Sequence, residues 1–297
     1  MPKKTTAAEL KKIYKKKLSF IDNSLADFDK EIKKLQTELF DILITDYVSQ
    51  LTVVEGVIIL NEHNARILAG LDKVMLQFKE NFALDPFKKL GERMIKMTEL
   101  TSDYFRAMTG GKKTIEGIAE KLDKYRAAVG IDKKGEVIKG SFLDNLASTP
   151  ELKTKLSGYM QTAVNSEMDY RKFATGLKDM VKGSVDTNGA MEKYVGTYAH
   201  DTFFSQARQQ DNFFAEQLGL ECFIYEGEII ETSRPFCIER HGKMFTRQEA
   251  EKWNQMDWKG KIPDVDFFGQ VGGFFCRHTI RWIPCPEGVS EDGEIIE

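Results

Sequence analysis

The chain reads as a mainly α protein: a long N-terminal helical hairpin or coiled coil and a helical scaffold, followed by a small α+β module near the C-terminus. Three observations predict this. Apolar residues step by four and three from Leu18 through Ile21, Leu25, Phe28, Ile32, Leu35 and Leu39 to Ile42, the 3.5-residue period of a helical seam. Gly and Pro punctuation then divides the chain up to Gly219 into further segments of helical length and periodicity. Finally, all three tryptophans and two of the four histidines fall between Tyr225 and Pro284, together with Cys237 and Cys276. The expected organisation is a coiled-coil-like hairpin over 1–84, a helical scaffold over 85–219, an α+β module over 220–286 and an acidic tail over 287–297.

At 297 residues, with 41% hydrophobic and 30% charged residues, the chain has room for about two domains and enough apolar content to fold. A net charge of −3 is too small to make nucleic acid or a membrane the principal partner. The charge is uneven, however: seven lysines between Lys3 and Lys17 face the single acid Glu9, and five acids with no base follow from Glu287. The lysine-rich start is a candidate genome contact and equally a solvated helix end. No apolar run reaches the ~20 residues of a membrane span, so no membrane partner is expected. Lysines without an apolar core behind them are not a secretory signal, and four cysteines in a chain this long do not form a disulfide framework. Assembly in a reducing cytoplasm is the expectation.

Taken in order, the first seam needs a cover. Val57, Leu60, Ile67, Leu71, Val74, Phe78 and Phe82 make a second stripe, and a turn near Ser49–Thr52 predicts an antiparallel helical hairpin. Self-association through the same seam is the rival arrangement. Asp85-Pro86 ends that helix and caps the next, which runs to about Met108 and stops at Gly110-Gly111. A helix follows over Thr114–Ala128, closed by Gly130, and then a loop or small hairpin over 131–140. Ser148-Thr149-Pro150-Glu151 starts a helix whose stripe runs from Leu156 to about Val181. Asn188-Gly189 breaks the chain, and an amphipathic helix over Ala190–Leu218 ends at Gly219. His63 and His200 lie within helices and carry no predicted function.

After Gly219 the periodicity changes. Residues 221–225 and 228–231 flank Glu226-Gly227 in the manner of a β-hairpin. Ser233-Arg234-Pro235-Phe236-Cys237 makes a corner, in which Arg234 is expected to bind backbone or an acid. Residues 242–246 form a strand, and Thr246 with Glu249 has capping-box spacing for a short helix. Gly272-Gly273-Phe274-Phe275-Cys276-Arg277-His278 leads into a last strand through Ile280, Trp282 and Ile283. The aromatic side chains from Phe236 to Trp282 suffice for a small core, with a surplus at Phe267–Phe275 that could dock another protein.

The ordered set SRPFC, GKMFT, a short Trp-bearing helix, WKGKIP, GGFFCRH and IRWIP, with the preceding helix GTYAHDTFFSQARQQDNFFAEQLGL, resembles the phage Mu F-protein-like minor head proteins, the phage head morphogenesis family. The resemblance covers about 190–284. It implies a minor structural and assembly protein of a tailed-phage head, located in the virion at the capsid interior or portal and contacting capsid or portal proteins.

The chemistry-bearing residues of the module are Cys237-x3-His241 and Cys276-x-His278. Two Cys and two His supply the donor set of a tetrahedral structural zinc, a centre that would help a module with little core of its own. Cys237 and Cys276 could instead remain packed thiols or join as a disulfide. Cys276 beside His278 also suggests a nucleophile, and the same residues could serve a metal-dependent nuclease or toxin-like enzyme carried on the helices. No third orienting group or oxyanion donor is visible for such chemistry, so no catalytic residue is assigned.

Overall fold

The four-three stripe becomes one 36-residue helix, α1 (Ala7–Ile42), and Ile21, Leu25, Phe28, Ile32, Leu35 and Leu39 are all buried within the single chain. Its seam is therefore covered by its own protein, and the self-association alternative is set aside. The computed structural model describes residues 5–111 and 118–287. The expectations for Lys3, Lys4, the start of the helix at Thr114 and the acidic tail from 288 lie outside these.

Beyond α1 a π-helical turn (Leu43–Tyr47) and a 3-10 turn (Val48–Gln50) lead to a two-stranded hairpin, β1 (Val53–Val54) and β2 (Val57–Ile58). Its turn residues have φ of 51° at Glu55 and 84° at Gly56, the left-handed pair that a tight hairpin requires. The predicted turn near Ser49–Thr52 is thus a small β-hairpin between the long N-terminal helical segments. Val57, Ile58 and Ile59 are β-branched residues behind a Gly-bearing turn, and helix resumes only where the Asn61 side chain accepts from Asn64 N. The second stripe is then split into α2 (Glu62–Ala69) and α3 (Leu71–Phe78). Asp85-Pro86 does not end a helix. A π turn (Lys79–Ala83) carries the chain into α4 (Leu84–Met108), placing a change of hydrogen-bond register just before the residue that has no N–H to give.

The remaining helices are α5 (Ile118–Val129), α6 (Phe142–Ala147), α7 (Pro150–Asn165) and α8 (Tyr170–Lys182). The predicted continuous stripe from Leu156 to Val181 is thus two helices. Glu167 with φ of 50° turns the chain, and Asp169 caps α8 by accepting from Lys172 N. Nor does Thr149 cap α7: it sits at φ 42° without a side-chain cap bond. A hairpin, β3 (Gly183–Ser184) with β4 (Thr187–Asn188), and a π turn (Glu192–Gly196) precede α9 (Thr197–Leu218), which ends at Gly219 as expected. The module that follows comprises β5 (Cys222–Glu226), α10 (Pro235–Arg240), β6 (Met244–Thr246), α11 (Arg247–Lys252), α12 (Phe267–Gln270) and β7 (Thr279–Ile283).

The chain divides into two compact units. One comprises residues up to 23, 94–122 and 199 onward; the other comprises 24–93 and 123–198. These limits fall inside α1, α4, α5 and α9. Helical segments distant in sequence build each unit, and linear punctuation could not show which pair.

In the unit of 24–93 and 123–198, Phe28 of α1 meets Phe87 of α4 edge to face at 5.4 Å, and Arg93 donates to Ser24 O at 3.3 Å. The partner of α1 here is therefore α4, whereas α2 and α3 pack on α7. Asp144 accepts from Gly140 N at 2.9 Å and pairs with Lys79 at 2.7 Å. Burial alone would raise this carboxyl; the hydrogen bond from Lys79, the Gly140 N–H and the charges of Lys79 and Lys139 outweigh it and hold the group below its ordinary range. A depressed folded value contributes stability above the unfolded carboxylate pKa that is lost as pH falls through the folded one. Asp144→Asn is expected to cost about 1–2 kcal/mol at neutral pH and to flatten the acid limb of stability. Urea titrations at pH 7 and pH 3 measure both; an unchanged pH dependence would refute the pairing.

The other unit is organised around a three-stranded antiparallel sheet in the order β6-β5-β7. Strand β5 is central, with Cys222 opposite Thr246 on one side and Ile283 on the other. The predicted hairpin between 221–225 and 228–231 does not form, because β5 pairs with segments far along the chain. Between β5 and α10, Gly227 packs its backbone against His278, where a Cβ would come within 2.7 Å of the ring. Phe223, Phe236, Phe267, Phe268, Trp253 and Trp282 form the core with Tyr14, Tyr104, Phe105 and Phe214 from the helices. Arg247 lies 4.3 Å over the Trp282 ring and Arg240 lies 3.8 Å over Phe236, so both cations cover aromatic faces. The predicted capping box at Thr246 and Glu249 is present. Phe274 and Phe275, read as core material, are 46% and 43% exposed.

Candidate metal centre

Each ligand candidate is positioned by a different local device. Arg234-Pro235 opens α10, with Pro in the first turn where its missing N–H costs nothing, and this places Cys237 on the inner face of the helix. Arg234 anchors the corner by donating to Gly272 O at 3.2 Å and to Phe274 O, the backbone-binding role expected of it. Cys276 closes a turn through its N–H to Gly273 O at 3.1 Å, after Phe275 at φ 60°. His278 immediately precedes β7. Because the Cys-x-His segment is a turn and not a regular strand, strand alternation does not govern where its side chains point.

The result is a buried cluster: Cys237, Cys276 and His278 are 2%, 4% and 3% exposed, and their donor atoms lie within 4.8 Å of one another. The sulfurs are 3.8 Å apart, and Cys276 Sγ is 3.7 Å from His278 Nδ1. His241, the fourth predicted ligand, stands outside this group. It follows α10 on the surface, with its ring centroid 5.9 Å from that of His278.

Both sulfurs of the cluster are free thiols. The disulfide of the chain joins Cys222 to Cys285, a pair not anticipated from the sequence, and of the alternatives open for Cys237 and Cys276 the disulfide is not the one formed. Cys285 follows β7, whose register sets Ile283 opposite Cys222, so sheet pairing delivers the two residues to each other.

Residues that sequence reasoning passed over complete the site. Tyr225 donates to Cys237 Sγ at 3.2 Å. Arg208 of α9, itself buried, holds the ligand loop by donating to Cys276 O and, at 3.1 Å from Nε, to His278 O. Gly272 comes so close that a Cβ would collide with both sulfurs, while Trp258 and Arg234 both donate to its carbonyl. The available signal was Gly272-Gly273 four residues before a Cys; the roles of Tyr225 and Arg208 depend on tertiary placement.

The electrostatics make the sulfurs unequal. The hydrogen bond with Cys237, then His278 and Arg208, hold the Cys276 thiol well below its ordinary value despite burial. That same bond, burial and the Cys276 charge push Cys237 up. His278 Nε2 is buried and has no hydrogen-bond partner among the described residues. Two cysteine sulfurs and an imidazole converging in a dry pocket are donors for a soft or borderline metal ion.

Comparison of the chain with family models, with curated proteins and with solved structures gives no match.

Proposed function

We propose that the chain is a minor structural protein of a tailed-phage head, acting in head assembly at the capsid interior or portal. The observation that carries this reading is where the motifs fall. Phe236 and Cys237 of SRPFC, Phe245 of GKMFT, Trp258 of WKGKIP, Cys276 of GGFFCRH and Trp282 of IRWIP all lie in or against one hydrophobic cluster, and Phe214 of the preceding helix belongs to it as well. The segments of the resemblance are thus the framework of a single folding unit, as expected if they specify one domain and did not arise as scattered coincidences.

Burial of the Cys and His side chains supports a structural over an enzymatic role. A nucleophile or nuclease metal must meet a polymeric substrate, whereas these donors are at most 4% exposed. No helix among the described residues is long and apolar enough to cross a membrane, which fits capsid or portal proteins as the partners. Mass spectrometry of purified virions and proheads tests the proposal: the protein is expected at fixed copy number in at least one of them. Absence from both would overturn it.

A further inference from the structure

We infer that Cys237, Cys276, His278 and His241 form a structural zinc site, with the first three preplaced and His241 closing the tetrahedron when the ion binds. This stands apart from the head-assembly reading and depends only on the geometry of the module.

Zinc bonds of about 2.3 Å to sulfur and about 2.0–2.1 Å to nitrogen, set at the tetrahedral angle, require S–S edges of about 3.8 Å and S–N edges of about 3.6 Å. The observed separations are 3.8 Å between the sulfurs and 3.7 Å from Cys276 Sγ to His278 Nδ1. Two of the three edges thus already have tetrahedral length, and all three donor atoms lie within 4.8 Å of one another. The ring of His278 also makes poor sense as a core residue. Nδ1 faces only a sulfur and Nε2 faces no partner, at a cost of about 1–3 kcal/mol for an unsatisfied buried polar group. A metal bond at Nδ1 gives that nitrogen a true ligand partner and accounts for the ring facing the sulfurs.

The surroundings are built for the same purpose. Metal ligands are oriented by outer partners, and here Tyr225 donates to the Cys237 sulfur while Arg208 grips the carbonyls on either side of Arg277. Gly272 and Gly227 bring backbone against the sulfurs and the imidazole where any side chain would collide.

The fourth corner faces His241. Its N–H is fixed to Cys237 O at 2.9 Å, so its backbone is tied to the same helix turn as the first ligand. Two imidazoles on one tetrahedral zinc have ring centroids about 5 Å apart, from the bond lengths above plus the ring radius. The observed 5.9 Å, with the rings at 81°, is within reach of a side-chain rotation, and exposure leaves His241 free to make it.

The test uses the full chain, stripped of metal by a chelator and kept under a phosphine reductant, titrated with Zn²⁺ against a chromogenic competitor and with Co²⁺ as a spectroscopic probe. One equivalent is expected to bind, with thiolate-to-cobalt charge transfer and the intense visible bands of a tetrahedral site. His241→Ala is expected to weaken zinc binding by about 10- to 100-fold, at least the loss that removal of an outer partner causes, while leaving the charge-transfer bands. Cys237→Ser/Cys276→Ser is expected to abolish both. Zinc uptake that persists in the double serine variant would assign binding to Cys222 and Cys285 and overturn the site. Cobalt bands without thiolate character in the wild type would overturn it too, with no dependence on variants that fail to fold. Unchanged affinity in His241→Ala would overturn the fourth ligand.

Discussion

Asp211→Ala is expected to lower the unfolding free energy by about 3–5 kcal/mol, the cost of breaking a fully buried ion pair from one side. Lys17 Nζ and Asp211 Oδ1 are 2.6 Å apart, with side chains 0% and 1% exposed. The Tyr14 hydroxyl lies 3.1 Å from Asp211 Oδ2, 3.0 Å from Thr279 Oγ1 and 2.9 Å from Ile280 O, so α1, α9 and β7 meet in one dry polar network. Burial is the largest influence on both charges: it pushes Asp211 up and Lys17 down, and their mutual attraction only partly opposes it. The pair is therefore costly to bury and costlier to break. Lys17→Met should destabilise by a similar amount, because it strands the carboxylate. Lys17→Met with Asp211→Leu removes both desolvation costs and should recover most of the loss, to within about 1–2 kcal/mol of the wild type. Urea unfolding of the wild type, Lys17→Met, Asp211→Leu and the double variant measures this cycle. Additive single effects in the double variant would show that the two charges do not act as a unit.

That pair also marks the limit of what the sequence disclosed. Lys17 belongs to a lysine-rich run that reads as a solvated helix end, yet it falls three residues after Tyr14 and four before Ile21 on the buried stripe. Asp211 likewise lies four residues after Ala207 and three before Phe214, both buried. A charge on the inner stripe of each of the two helices was visible; that they meet was not, because it depends on which helices pack. The same division recurs throughout. Features set by neighbours in sequence were legible: the period of α1, the Gly219 stop, the capping box at Thr246 and the turn at Gly110-Gly111. Features set by distant pairing were not. Strand β5 was given to the nearest apolar run, 228–231, although its partners are Met244–Thr246 and Thr279–Ile283. The small β-hairpin between the first helices was missed differently, since Glu55-Gly56 between β-branched residues was a local turn signal that the helical stripe obscured.

The candidate site shows both cases together. Cys237, Cys276 and His278 were identifiable by residue type, because few side chains in the chain can bind a soft metal. Cys222 and Cys285 were overlooked as a pair because they bracket the module from outside its motifs, and only the register of β5 with β7 brings them together. Chemistry thus named the inner pair, and topology chose the bonded one.

The consequence is a second large effect. Cys222→Ala with Cys285→Ala is expected to cost about 4 kcal/mol, the loop-closure entropy of a link across this many residues, since the bond spans a sequence separation of 63. The loop contains α10, β6, α11, α12, β7 and the whole Cys237–Cys276–His278 cluster. Cys222 is fully buried at the start of the central strand, and the bond fastens edge strand β7 just beyond its last residue. Without it, β7 depends on its ladder to β5 and on Trp282 in the core. Most of the loss acts through the unfolded chain, so the variant should keep its native near-ultraviolet circular dichroism while its urea midpoint falls and its m-value rises. Reductant should reproduce the shift in the wild type and have no effect on the double alanine variant. A stability change below about 0.5 kcal/mol in either comparison would mean that the ladder and the aromatic core alone set the stability of the module, and the bond would then be dispensable for the fold.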